Sequence, residues 1–167
     1  MKVLGIDPGT NLLGMGIIEE DRKGMRCVAA GLLDLRKQDR KKVGQVIYQA
    51  ISFVIAEYHP DALAIEDQFI GVNPRSGLKV NEAKMAAILA AQMAGIPHYE
   101  YAPAAVKKSA CGCGNADKEY VAKVVCGILK LADRPKYFDV TDALAVAICH
   151  LNKARVPQII GGKADGV

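Results

Sequence analysis

Four carboxylates stand out before any fold is assigned: Asp7, Glu66, Asp139 and Asp142. Asp7 ends a short apolar run, residues 3–6, and precedes Pro8-Gly9-Thr10. Glu66 ends a second such run, residues 62–65. Asp139 and Asp142 are three residues apart at the start of a helical pattern, so they point from one helical face. Acids gathered in a partly dry site repel one another, and hard cations such as Mg²⁺ or Mn²⁺, which prefer oxygen ligands, remove that penalty. Two such ions about 4 Å apart suit in-line phosphodiester hydrolysis. Each acid also has a plainer reading. Asp7 could be a turn residue, Glu66 a surface acid, Asp139 an N-cap and Asp142 a solvated first-turn acid. No serine triad or histidine nucleophile is evident.

The elements that must position these acids follow from periodicity. Residues 3–6, 13–20 and 26–34 read as three strands in an antiparallel meander, with Gly14 and Gly16 permitting close backbone approach. Residues 40–58 have helical spacing and stop at His59-Pro60. Residues 61–66 form a fourth strand, and a loop containing Gly71, Asn73-Pro74 and Gly77 follows. An alanine-rich helix spans 78–94, with Gly95 as its cap. A fifth strand covers 97–101, and helices cover 102–110, 117–131 and 139–153. The expected fold is α/β, a five-stranded mixed sheet with helices on both faces. If the first and fourth strands are parallel neighbours, Asp7 and Glu66 emerge at one sheet edge, where such folds bind ligands. Residues 1–153 are read as one nuclease domain and 154–167 as a mobile tail.

Bulk properties set limits. The chain has 167 residues, 51% of them hydrophobic, enough for a single core. No long uncharged apolar run predicts a membrane span, and an acid at position 7 comes too early for a signal peptide, so the default location is cytoplasmic. Net charge is +4; setting the four acids aside leaves 22 basic against 14 acidic residues, a surface suited to a polyanion. On charge alone, an ordinary solvated surface fits as well. Cys27, Cys111, Cys113, Cys126 and Cys149 are read as reduced thiols. The Cys111/Cys113/Cys126 spacing lacks a fourth zinc ligand.

Three segments together resemble the RuvC family of Holliday-junction resolvases: Leu4-Gly5-Ile6-Asp7-Pro8-Gly9-Thr10, Ala64-Ile65-Glu66-Asp67-Gln68-Phe69, and Asp139-Val140-Thr141-Asp142-Ala143-Leu144-Ala145-Val146-Ala147-Ile148-Cys149-His150. The first alone is weak; the ordered set, covering about residues 1–152, is specific. The resemblance implies a ribonuclease H-like fold and a homodimer formed through the 78–94 helix. It implies symmetric, metal-dependent nicking of two strands of a four-way DNA junction in recombination and repair. Asp7, Glu66, Asp139 and Asp142 would be the metal-binding acids. Lys107 and Lys118 would sit near the scissile phosphate as catalytic and DNA-binding lysines. Phe69 would stack on junction bases. Arg75, Lys79 and Lys84 could track the backbone, and a branch-migration helicase complex is a further partner to consider. Two features depart from the pattern: bulky Tyr137-Phe138 before the last acids, and the Cys111-Gly112-Cys113-Gly114 loop.

Other readings compete. Gly5-Ile6-Asp7-Pro8-Gly9-Thr10 also resembles the first phosphate loop of sugar-kinase, actin and chaperone-type ATPases, but the chain is too short for their second lobe and carries no second copy of the loop. A YqgF-type ribonuclease H-like nuclease acting in RNA processing would overlap in its acidic layout, whereas intact acids argue against a non-catalytic junction-binding module.

Overall fold

The computed structural model describes residues 1–67 and 74–160, with side chains placed through 67 and from 77 to 155. Phe69 and residues 161–167 of the expected tail lie outside the described residues, and Arg75 is described only in its backbone.

Five strands form one sheet: β1 (Lys2–Asp7), β2 (Leu12–Asp21), β3 (Gly24–Asp34), β4 (Ala62–Glu66) and β5 (His98–Tyr101), in the order β3-β2-β1-β4-β5. The first three are the expected antiparallel meander. β4 lies parallel to β1, and β5 parallel to β4. The carboxyl ends of β1, β3, β4 and β5 therefore share one edge.

Alternation along the strands assigns each face its helices. Leu4, Ile6, Leu63 and Ile65 point into a core with α1 (Val43–Tyr58) and α2 (Pro74–Met93). Val3 and Ala64 point to the other face, packed by α3 (Pro103–Cys111), α4 (Lys118–Leu129) and α5 (Phe138–Ile160). With a side-chain period of two, Asp7 shares the face of Val3 and Gly5, and Glu66 that of Ala64. Both acids thus face α5.

α5 is buried on nearly all sides from Ala143 to Leu151, which suits a helix apolar around its circumference. It can sit so close because the strands beneath it present glycines. Gly5 and Gly16 face each other across the β1–β2 ladder, and Gly14 pairs with Asp7. A Cβ on Gly5 would lie 2.1 Å from the Ala143 carbonyl oxygen, and one on Gly14 would lie 1.9 Å from that of Asp139. The helix backbone occupies the space that side chains would fill.

Two helix boundaries differ from the sequence reading by four residues or more. α2 begins at Pro74 rather than 78, because proline fits a first helical turn, where its missing N–H costs nothing. α5 runs to Ile160 rather than 153, so residues 154–160 are helix, not tail. Arg155 on this extension pairs with Glu20 of β2, which ties it to the sheet. Among the described residues, no helix is long and apolar enough to cross a membrane.

Candidate active site

Asp7, Glu66 and Asp142 line one cavity of about 190 Å³ at the carboxyl edge of the sheet, together with Lys107, Lys118, Pro103, Val106, Val121 and Ala145. The three acids come from β1, β4 and α5, and the lysines from α3 and α4. Asp139 lies one residue inside α5, so it is not the N-cap; its charge acts on both Asp7 and Asp142. Asp117, the true cap of α4, accepts the Tyr120 N–H at 2.7 Å and orients the turn that begins with Lys118.

Burial dominates the electrostatics. Asp7 is only 7% exposed, and its pKa is pushed up to about 8 by desolvation, then by the charges of Glu66, Asp142 and Asp139, with Lys118 opposing. Glu66 is pushed up to about 7 by burial and by Asp142, against Lys118 and Lys107. Asp142 is raised by burial, with Lys118 the main opposing charge and Asp139 adding to the rise. The Lys118 ammonium stands 3.7 Å from an Asp142 carboxylate oxygen. Carboxylates raised jointly by burial and by one another mark a site adapted to bind positive charge. Among the described residues, no three His, Cys, Asp or Glu side chains already stand as a closed metal cage. Asp7, Glu66 and Asp142 share the pocket lining. The donor set is all oxygen, which fits a hard divalent cation.

The other expected contacts divide. Lys79 is exposed on α2 beside a second cavity of about 100 Å³, lined by Gly9, Thr10, Arg40, Val43, Glu82 and Ala83. Lys84 donates to Asp67 and Glu100, both at 2.7 Å, and its side chain is 14% exposed. It links the end of β4 to β5, a structural contact at the residue expected to track the DNA backbone. Cys111 ends α3 and Cys126 lies within α4, both half-buried, whereas Cys113 is exposed.

One pairing had no sequence signal. The Tyr101 hydroxyl and His150 Nδ1 are 2.8 Å apart in the interior, and the Tyr99 ring lies 4.5 Å from the His150 ring. This ties β5 to α5, while the Tyr101 carbonyl accepts the Asp67 N–H at 2.9 Å, next to Glu66. Only knowledge that 101 and 150 are neighbours would have exposed it.

A model of the family described as crossover junction endodeoxyribonuclease RuvC matches residues 3–150. The chain belongs to the RuvC family. A RuvC of Cytophaga hutchinsonii is 42% identical over 162 residues, spanning 96% of this chain and 81% of that protein. The RuvC structure from Thermus thermophilus superposes with a TM-score of 0.84 at 37% identity, covering 93% of this chain and 96% of that one. The T. thermophilus RuvC in complex with Holliday junction substrate gives 0.83 at 34%, with the same coverage. The ribonuclease H-like fold follows, and the phosphate-loop ATPase and RNA-processing readings are not favoured. RuvC membership makes the chain an endodeoxyribonuclease.

Proposed function

We propose that this RuvC protein resolves Holliday junctions by hydrolysing one phosphodiester in each of two strands, at the pocket built on Asp7, Glu66, Asp139 and Asp142. The observation that carries the site is the convergence of Asp7, Glu66 and Asp142 with Lys107 and Lys118 in one cavity, where burial raises both Asp7 and Glu66. The four acids would hold Mg²⁺, with Mn²⁺ as a substitute and two ions per site. Bound there, the cations supply Lewis acidity for in-line displacement at phosphorus. Lys107 and Lys118 hold the scissile phosphate and place it over the acids. Val106, Val121 and Ala145 wall the pocket and limit water, which strengthens those contacts. A synthetic four-way junction should be cut in Mg²⁺ and left intact in chelator, with linear duplex cut poorly. Equal cutting of both substrates would defeat the junction reading.

The metal-free protein carries a pH signature. Asp7 and Glu66 bind their protons more tightly when folded than when unfolded. Stability therefore falls as pH rises through the window between the unfolded and folded values, from 3.8 to about 8 for Asp7 and from 4.5 to about 7 for Glu66. Thermal melting in chelator should drop on the order of 5–10 °C between pH 5 and pH 8. Added Mg²⁺ should restore more at pH 8 than at pH 5. A melting point independent of pH and Mg²⁺ would count against a coupled acid site.

The dimer is proposed to form through α2. Its Ala83, Ala87, Ala90 and Ala91 are buried in the core that α2 shares mainly with α1 and, less, with β4 and β5, which leaves the opposite side for a partner. The outward side carries Leu78, Met85, Leu89 and Met93, all exposed. A second copy facing them across a twofold axis would set two active sites against a near-twofold substrate. Leu89→Asp should shift the solution mass from dimer to monomer at micromolar concentration, with the circular dichroism spectrum unchanged. An unaltered dimer would place the contact elsewhere.

A further inference from the structure

Between β3 and α1 the chain carries a basic segment that the catalytic pocket does not use. Five of residues 36–42 are cations: Arg36, Lys37, Arg40, Lys41 and Lys42, all exposed. The one acid, Asp39, is occupied in capping a 3-10 turn, Arg40–Lys42, by accepting the Lys41 N–H at 3.1 Å. A charge run of this kind is usually a solvated surface. Here it is pinned at two points, and both lie beside the active site.

Arg40 donates to the Thr10 carbonyl and to the Asn11 side chain, each at 3.1 Å, and the Leu35 N–H reaches the Asn11 carbonyl at 2.8 Å. That is the turn immediately after Asp7. Arg36 forks onto Asp34, with Nε at 2.9 Å and Nη2 at 2.6 Å, and also interacts with Tyr137, two residues before Asp139. The segment is thus anchored next to the strand and the helix that supply three of the four acids. Topology gives its direction. β3 ends at the same sheet edge as β1, on the side away from β4 and β5. Lys107 and Lys118 approach the pocket from α3 and α4, which follow β5. Lys41 and Lys42, which make no ion pair among the described residues, stand on the opposite flank. Lys79 faces the neighbouring cavity with Arg40, where Glu82 is the opposing acid.

We propose that residues 36–42, with Lys41 and Lys42 foremost, form a second phosphate-backbone contact that holds the DNA strand beyond the scissile phosphate. This rests on the reading of the chain as a junction nuclease and adds to it the course of the substrate arm. β3 lies two strand spacings from β1, about 10 Å. That is about three nucleotides along one strand of a duplex. The contact is to phosphates, so it is indifferent to sequence and sensitive to salt.

The test compares three proteins: wild type, Lys41→Gln/Lys42→Gln, and Arg22→Gln/Lys23→Gln. The last removes equal charge from the β2–β3 turn, at the far end of the sheet. Binding to a fluorescent four-way junction and to a linear duplex is followed by anisotropy in EDTA across a salt series. Lys41→Gln/Lys42→Gln should reduce the slope of log affinity against log salt by about 1–2 and weaken binding roughly tenfold or more at 0.1 M salt. The control should stay within about twofold of wild type. An unchanged slope in Lys41→Gln/Lys42→Gln, or an equal loss in the control, overturns the proposal. Because the duplex arm reads the same contact, its outcome stands even if the wild type shows no junction preference, which would defeat the function reading instead.

Discussion

Asp7→Asn is expected to abolish junction cleavage while leaving junction binding intact. Asparagine matches the shape of aspartate and keeps one acceptor oxygen, so the backbone ladder with Gly14 and the packing under α5 are undisturbed. What it removes is the charge most deeply buried among the acids. Even partners behind a metal ligand are worth 10–100-fold, so losing this ligand should cost more than about 100-fold in cleavage rate. Binding should stay within about threefold, because the phosphates are held by lysines on other elements. The same variant should lose most of the pH dependence of the metal-free protein, since the group with the largest elevation is gone. Single-turnover cleavage and anisotropy on one junction preparation decide it. Wild-type cutting by Asp7→Asn would remove Asp7 from the site.

Gly14→Ala should damage both the fold and the chemistry. Its Cβ would stand 1.9 Å from the Asp139 carbonyl oxygen and 2.4 Å from the carbonyl carbon, atoms of helix backbone that cannot swing aside as a side chain can. α5 would have to lift from the sheet, and it is packed on its other sides by α3 and α4. Overpacking of this kind costs about 3 kcal/mol, or roughly 6–12 °C in melting temperature for a chain of this size. The lift also carries Asp139 and Asp142 away from Asp7, and a shift of about 1 Å at a reacting centre can cost about 100-fold. Gly31→Ala on β3 is the comparison, with nothing within 4 Å of its added Cβ. It should melt within about 2 °C of wild type, because a surface change away from packed atoms stays within about 0.5 kcal/mol. If Gly14→Ala matched it in melting and cleavage, the close seating of α5 would not be what sets the acid geometry.

The strands and helices that hold the site were legible because their signals are local. Apolar runs ending in an acid marked β1 and β4, and Asp139 and Asp142 marked the helix that crosses them. Gly14 and Gly16 announced close approach without saying what approaches; the carbonyl of Asp139 is the answer, and it comes from more than a hundred residues away. The facing of Asp7 and Glu66 toward α5 could have been read from strand parity, since Leu4, Ile6, Leu63 and Ile65 are the bulkier alternates. Lys84 could not have been assigned from its neighbours, because its partners Asp67 and Glu100 reach it only after β4 and β5 align. The alanine stripe of α2 fitted two partners equally until burial placed it in the core shared with α1 and the sheet. Proline at 74 read as a loop because a proline that begins a helix and one that interrupts a chain look alike without the turn that follows. The family match fixed the substrate class, which the acids alone could not name.

The β2–β3 hairpin reaches the end of the sheet remote from the acids and closes at Arg22 and Lys23. A dye or surface tether attached at that turn would sit at the end of the sheet opposite the acid pocket. Force applied there would travel along β2, the strand that carries Gly14 and Gly16, and arrive directly beneath α5. The hairpin is thus a handle whose far end lies under the helix bearing Asp139 and Asp142, so tension on a single molecule could be read as a change in its cutting rate.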